Sequence, residues 1–191
     1  MAKVKNLDFK RRRKSLTNYK KRLAYVKSGL DRVVIRRSNR GLLGQIVRYS
    51  EKGDTILAMA VSNELKAYGW LPRGNRATAY LTGMLLARKA SKKGIGSDEL
   101  VLDIGLSRPT KNSAPFVFAK GCVDGGMKLK AQLEIQESVY NCKASAVYAS
   151  KLKGESEENY SRQYSDYLKA KADPSSLDKL FEQAKEKISK A

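Results

Sequence analysis

The stretch RVVIRRSNRGLLGQIVRYSEKGDTILAMAVS, Arg32 to Ser62, decides the fold. Arg32–Ser38 and Leu42–Ser50 are rich in β-branched residues, which suit a pleated, half-buried surface. Asn39-Arg40-Gly41 joins them, and Asn and Gly tolerate the positive φ of a hairpin turn. Glu51-Lys52-Gly53-Asp54 forms a second tight turn, and Thr55–Ser62 reads as a third strand. Three consecutive strands with short turns predict an antiparallel meander.

Downstream the period lengthens. Asn63–Trp70 fits a short helix ended by Gly69, and Leu71–Asn75 (LPRGN) is a loop. Ala77 to Gly94 predicts a long helix with Tyr80, Leu81, Met84 and Leu85 on one face and Lys89, Lys92 and Lys93 at the negative end of its dipole. Gly83 in its middle costs about 1 kcal/mol against Ala, and close packing on the sheet would account for it. Glu99–Leu106 reads as a buried strand that can join the sheet in parallel because a helix precedes it. Ala114–Leu129 predicts another helix, ending at Gly125-Gly126.

These elements predict an α/β domain over residues 1–130. It has a mixed sheet, the meander plus the later strand, packed with helices. Residues 131–191 form a polar, tyrosine-dotted extension, expected to wrap over the domain or a partner. Its last segment is a helix started by Asp173-Pro174 or Ser176, with Leu177, Leu180, Phe181, Ala184 and Ile188 as its stripe.

Upstream lies FKRRRKSLTNYKKRLAYVKSG, Phe9 to Gly29, with nine cations and no acid. Leu16, Tyr19, Leu23 and Val26 share helical spacing, so the segment predicts a helix docked by one apolar seam. Ser15 or Thr17 would cap its start and Gly29 its end. Docking by a seam needs no such charge; a polyanion lying against the outer faces would explain it.

The totals agree. The 191 residues carry 39 Lys and Arg against 19 Asp and Glu, a net charge of +20. Residues 1–50 hold +14 of it, which marks a local binding face rather than a general solubility device. No apolar run approaches the roughly 20 residues of a membrane span, no signal-peptide core is present, and a cytosolic protein is expected. Histidine is absent, which removes Ser-His and Cys-His catalysis and nearly all ordinary zinc sites. Cys122 and Cys142 lack metal spacing and suit small core positions. Asp103, inside an apolar strand, is the one carboxylate in an unusual place, and a hydrogen bond to a nearby turn explains it better than catalysis. Neither a complete catalytic constellation nor a cofactor or small-molecule motif is found.

Binding chemistry is better supplied. Arg36, Arg37, Ser38, Asn39 and Arg40 bunch beside the hairpin, where Arg forks can hold phosphates and Ser and Asn can reach sugars or base edges. Tyr19, Tyr25 and Tyr49 offer faces for unpaired bases, although Tyr19 is more often a packing residue at its spacing. Arg73 and Asn75 form a second polar cluster.

Taken together, FKRRRKSLTNYKKRLAYVKSG, RVVIRRSNR, ELKAYGW, AYLTGMLLARKA, VLDIGL and VFAKGCVDGGM, in this order from Phe9 to Leu129, resemble the 5S rRNA-binding family of the large ribosomal subunit. This is ribosomal protein number eighteen in its archaeal and eukaryotic form. The extension, with SAVYASKLKG and the last helix, is similar to the archaeal C-terminus. The resemblance implies a non-enzymatic constituent of the subunit in the cytoplasm, binding 5S rRNA in the central protuberance. It also implies contacts with large-subunit rRNA and neighbouring ribosomal proteins. Carried over by motif, Lys10, Arg11, Arg12, Arg13, Lys14, Thr17, Asn18, Tyr19, Lys21, Arg22 and Arg36 through Arg40 would face RNA. The family commonly has Asp where this chain has Asn18, and His where it has Gly41. A general nucleic-acid binder or a metal-dependent nuclease would be the alternatives. The nuclease would need Mg²⁺ and Asp103.

Overall fold

A computed structural model describes residues 7–96, 98–170 and 172–191. The expected meander is present as β1 (Arg32–Arg37), β2 (Leu42–Arg48) and β3 (Thr55–Val61), paired antiparallel. β4 (Val101–Asp103) lies parallel to β1, so the sheet is mixed, in the order β3-β2-β1-β4. β4 is much shorter than the apolar run that announced it. Asp103 Oδ1 accepts the Gly105 N–H at 2.8 Å, and Gly105 takes φ 65°, so the chain turns away after three residues.

Alternation along the strands separates two faces. Val33, Ile35, Ile46, Ala58 and Ala60 enter the core beneath α3 (Arg76–Lys92) and α4 (Ala114–Asp124). Gly44 leaves room there for the Phe118 ring and Leu86. Val34, Gln45, Val47 and Ile56 point to the opposite face, which the basic N-terminal segment partly covers. β3 is an edge strand, and Lys93 and Lys89 of α3 donate to its Leu57 and Met59 carbonyls at 3.0 and 3.1 Å. Charge on an unpaired edge blocks further strand pairing.

Gly83 does permit a close approach, but to α4 rather than to the sheet. A Cβ on Gly83 would collide with the Phe118 carbonyl, and one on Gly121 with the Tyr80 carbonyl. Each helix therefore presents a glycine to the other's backbone. Pairs of small residues at a crossing let helices pack backbone to backbone, closer than the usual 8–10 Å between axes.

The extension adds α5 (Lys143–Glu155), α6 (Glu157–Gln163), α7 (Ser165–Lys169) and α8 (Leu177–Lys190). Asp173 accepts from the Ser175 N–H at 3.0 Å and opens a 3₁₀ turn, Pro174–Ser176, from which α8 continues. Leu177, Phe181, Ala184 and Ile188 are buried, as the stripe predicts, while Leu180 is only half-buried. Phe181 meets Trp70 and Tyr80 with ring centroids 6.0 and 5.8 Å apart, and Tyr140 stacks on Tyr80 at 4.2 Å. Tyr160, Tyr164 and Tyr167 are buried as well. The extension thus wraps over the domain with these aromatic residues inward, while Tyr148 stays half exposed.

Cβ atoms at the α3–α4 crossing should be costly and one in α5 harmless. Gly83→Ala or Gly121→Ala is expected to destabilise by about 1–3 kcal/mol, the range for overpacking. Gly154→Ala, where nothing lies within 4 Å, should stabilise by about 0.4–1 kcal/mol. Urea denaturation of the three variants reads both signs.

Candidate nucleic-acid interface

The basic segment is two helices, not one. α1 (Lys10–Arg13) ends at Lys14, Ser15 takes φ 52°, and α2 (Tyr19–Ser28) starts afresh. Its N-cap is Asn18, whose Oδ1 accepts the Lys21 N–H at 3.1 Å. Ser15 and Thr17 do not cap it: Thr17 Oγ1 instead accepts from Arg11 Nε at 2.8 Å. Gly29 closes the helix with φ 66°, as expected.

The apolar seam is also corrected. Leu16 and Leu23 are each 55% exposed, and α2 buries no residue fully. Its inward side is Tyr19, Arg22, Tyr25 and Val26. Arg22 grips Asp54 with two bonds of 3.0 Å, and the Tyr25 hydroxyl donates to the Leu102 carbonyl at 3.4 Å. Polar contacts hold α2 over the sheet.

Those contacts belong to a larger network. Arg32, 5% exposed in β1, donates to Asp54 at 2.8 Å and to Asp103 at 3.3 Å. Arg36 adds a bond to the Asp103 carbonyl at 3.1 Å and an ion pair with its carboxylate at 3.5 Å. Asp103 is thus fully partnered as a structural acid. Burial pushes the Asp54 carboxyl up, but the bonds from Arg22 and Arg32 outweigh it and hold it below the ordinary carboxylate range. Burial, with Asp103 nearby, raises the Tyr25 phenol.

Between α1–α2 and the open sheet face runs a groove of about 1040 Å³. Val34, Gln45, Val47 and Ile56 form its floor, Tyr19, Lys21 and Arg22 one wall, and Ile104–Ser107 the other. Arg11, Arg36 and Arg37 reach it too. Phe9 sits 5.5 Å from Tyr19, ring to ring, outside the core.

The sequence-predicted residues divide by what they touch. Lys10–Lys14 stand exposed; of these, Arg12 pairs with Asp8 at 3.4 Å. Lys21, Arg37, Asn39 and Arg40 are exposed as well. Ser38 is spent on its turn, exchanging bonds of 3.1 Å with Gly41. Asn75 caps α3 by accepting from Thr78 at 2.9 Å. Arg73 pairs with Asp166 at 3.0 Å and lies 5.0 Å over the Tyr167 ring, bound to the extension. The two clusters that looked separate in sequence adjoin: Gly74 packs so close that a Cβ there would press the Asn39 carbonyl at 3.0 Å. Lys111 and Arg76, missed in the sequence, line a second cleft beside Arg37. Their isolation among neutral residues gave no periodic signal.

The fold and the groove define a small α/β protein with a cation-lined sheet face. The comparisons specify which. The family of ribosomal large subunit proteins 60S L5 and 50S L18 matches residues 3–100. The large ribosomal subunit protein uL18 of Korarchaeum cryptofilum (strain OPF8) is 42% identical over 184 residues, 95% of this chain and 92% of that protein. Its counterpart in Thermofilum pendens (strain DSM 2475 / Hrk 5) is 40% identical over 185 residues, 95% and 93%. The chain belongs to this family of archaeal-type large-subunit ribosomal proteins, a structural constituent of the cytoplasmic ribosome and not an enzyme.

Because the Asp54 carboxyl sits below its unfolded value, its contribution is present above about pH 4 and lost as pH falls through the folded value. Asp54→Asn should therefore lower Tm at pH 7. The gap between wild type and variant should close as the pH drops below about 4. Thermal melts across pH 3–7 test this.

Proposed function

We propose that this protein binds 5S rRNA along the groove between α1–α2 and the open sheet face, and helps anchor it in the central protuberance. The observation that carries this reading is the geometry of the N-terminal cations. Lys10, Arg11, Arg13 and Lys14 make no ion pair among the described residues; Arg11, with Lys21 and Arg37, lines a groove whose acids are already engaged by Arg22, Arg32 and Arg36, and Lys10, Arg13 and Lys14 stand exposed on the same short segment. Unpaired cations around a trench hold phosphates; the exposed Ile56 of its floor, with Tyr19 beside it, suits riboses and unpaired bases.

Arg22 and Arg36 keep the trench in shape and add their charge to it. Asn18 and Asn75 act as caps, Thr17 and Ser38 shape their turns, and Arg73 ties down the extension. Asn39 and Arg40, at the hairpin tip, extend the surface toward large-subunit rRNA. Residues 131–191 are an extension of the RNA-binding domain, and its outer side faces neighbouring ribosomal proteins.

Competition between 5S rRNA and tRNA, duplex DNA or a scrambled RNA, at two salt concentrations, tests specificity. All ligands should weaken with salt, by a slope of about 0.7–0.9 per phosphate contact, and 5S rRNA should keep its advantage at the higher salt. Loss of that advantage would leave only a general nucleic-acid binder. Reversing Arg11, Arg12 and Arg13 to Glu should abolish filter binding while the thermal melt stays unchanged. Retained affinity would remove RNA from this surface.

A further inference from the structure

The second cleft, of about 600 Å³, opens at the far end of β1. Three walls meet there: Gly74–Ala77 at the start of α3, Thr110–Ala114 at the start of α4, and Ser138–Ser145 at the start of α5. Arg37, Arg76 and Lys111 line it, and no carboxylate does. None of the three makes a salt bridge among the described residues. The nearest acid in sequence, Glu137, is drawn toward Lys185 on α8 at 3.8 Å.

The helices around it are 17, 11 and 13 residues long, and none has an acid in its first turn. α3 even begins with Arg76 and α5 with Lys143, each opposing the positive end of its own dipole. Asn75 accepts one first-turn N–H of α3 and Asn141 the first N–H of α5; the other first-turn N–H groups have no carbonyl partner within the helix. Ser113, the N-cap of α4, makes no side-chain capping bond, and its hydroxyl oxygen and the neighbouring Asn112 Oδ1 are both enclosed without a partner among the described residues. Three cations without an ion pair, in a cleft lined by no carboxylate among the described residues, point to an anion.

We propose that this cleft takes a phosphodiester segment of RNA distinct from the one in the groove. The proposal rests on the RNA-binding reading above and adds a second contact to it. Continuity argues for RNA rather than a free anion. Arg37 lines both the groove and the cleft, so phosphates can step from one to the other across the end of β1. Thr110 and Ser138 offer hydroxyls for ribose oxygens, and the Ser138–Ser145 wall gives the extension a direct part in holding RNA.

The test uses the full chain with Arg76→Glu/Lys111→Glu, and the milder Arg76→Gln/Lys111→Gln in case charge reversal impairs folding. Backbone-cleavage footprints are taken on 5S rRNA and on large-subunit rRNA. Wild type should protect two stretches. The cleft variants should lose one of them, with affinity down about tenfold and the salt slope lower by about 1.4–1.8, two contacts' worth. Reversal of Arg11–Arg13, expected to abolish binding, should remove both stretches together. If the cleft variants protect both RNAs as wild type does, the cleft does not hold RNA, whatever the groove does. If wild type protects neither RNA, the RNA-binding reading itself fails. Titration with inorganic phosphate separates the remaining source. Saturable phosphate binding that the variants lose, with unaltered footprints, would assign a free-anion site and overturn the RNA proposal.

Discussion

The fold's open face depends on one buried guanidinium. Arg32 sits in the middle of the sheet, and a charge taken out of water there is tolerable only if fully partnered. Asp54, from the β2–β3 turn, and Asp103, from the end of β4, partner it. Those acids then have capacity to spare, and Arg22 and Arg36 take it up. One desolvated cation thus fixes two strand ends, the helix over the sheet and the shape of the groove. Leaving such a charge unpaired costs about 3–5 kcal/mol, comparable with a large part of a small domain's net stability of about 5–15 kcal/mol.

This network explains what could and could not be read along the chain. Strands β1–β3, α3, α4 and α8 were legible because each buries a periodic apolar face, and periodicity is local. The mode of docking of α2 was not. Leu16 and Leu23 have seam spacing, yet the break at Lys14–Asn18 changes the helical phase, and the attachment is ionic, to a residue 32 positions away. The purpose of Gly83 was half legible: a close approach was inferred, but its partner, Gly121 and the backbone of α4, lies beyond any local pattern. In the extension, Tyr140, Tyr160, Tyr164 and Tyr167 are anchors spread over short helices and a loop, so no single period links them.

For the candidate site, residue types were easier to foresee than their duties. Arg11, Lys21, Arg22, Arg36 and Arg37 line one groove, whereas Lys10, Arg12, Arg13, Lys14 and Arg40 stand exposed outside it. Several are nevertheless engaged by the protein itself: Arg22 by Asp54, Arg36 by Asp103, Arg73 by Asp166. Sequence alone registers charge and not its partner. The distinction matters, because a paired arginine shapes a surface while an unpaired one is available to a phosphate.

The same distinction resolves the problem of so much like charge on a short segment. Acids are not absent from the groove; they are placed beneath it, where Asp54 and Asp103 neutralise the arginines that must be close together. The remaining cations stand on the exposed α1 and on the outer side of α2, where water screens their mutual repulsion. The inner cluster is therefore compensated within the fold itself, whereas Lys10, Arg11, Arg13 and Lys14 have no acid paired with them among the described residues. A surface divided in this way is ion-paired at its base and carries unpaired charge at its rim, among the described residues.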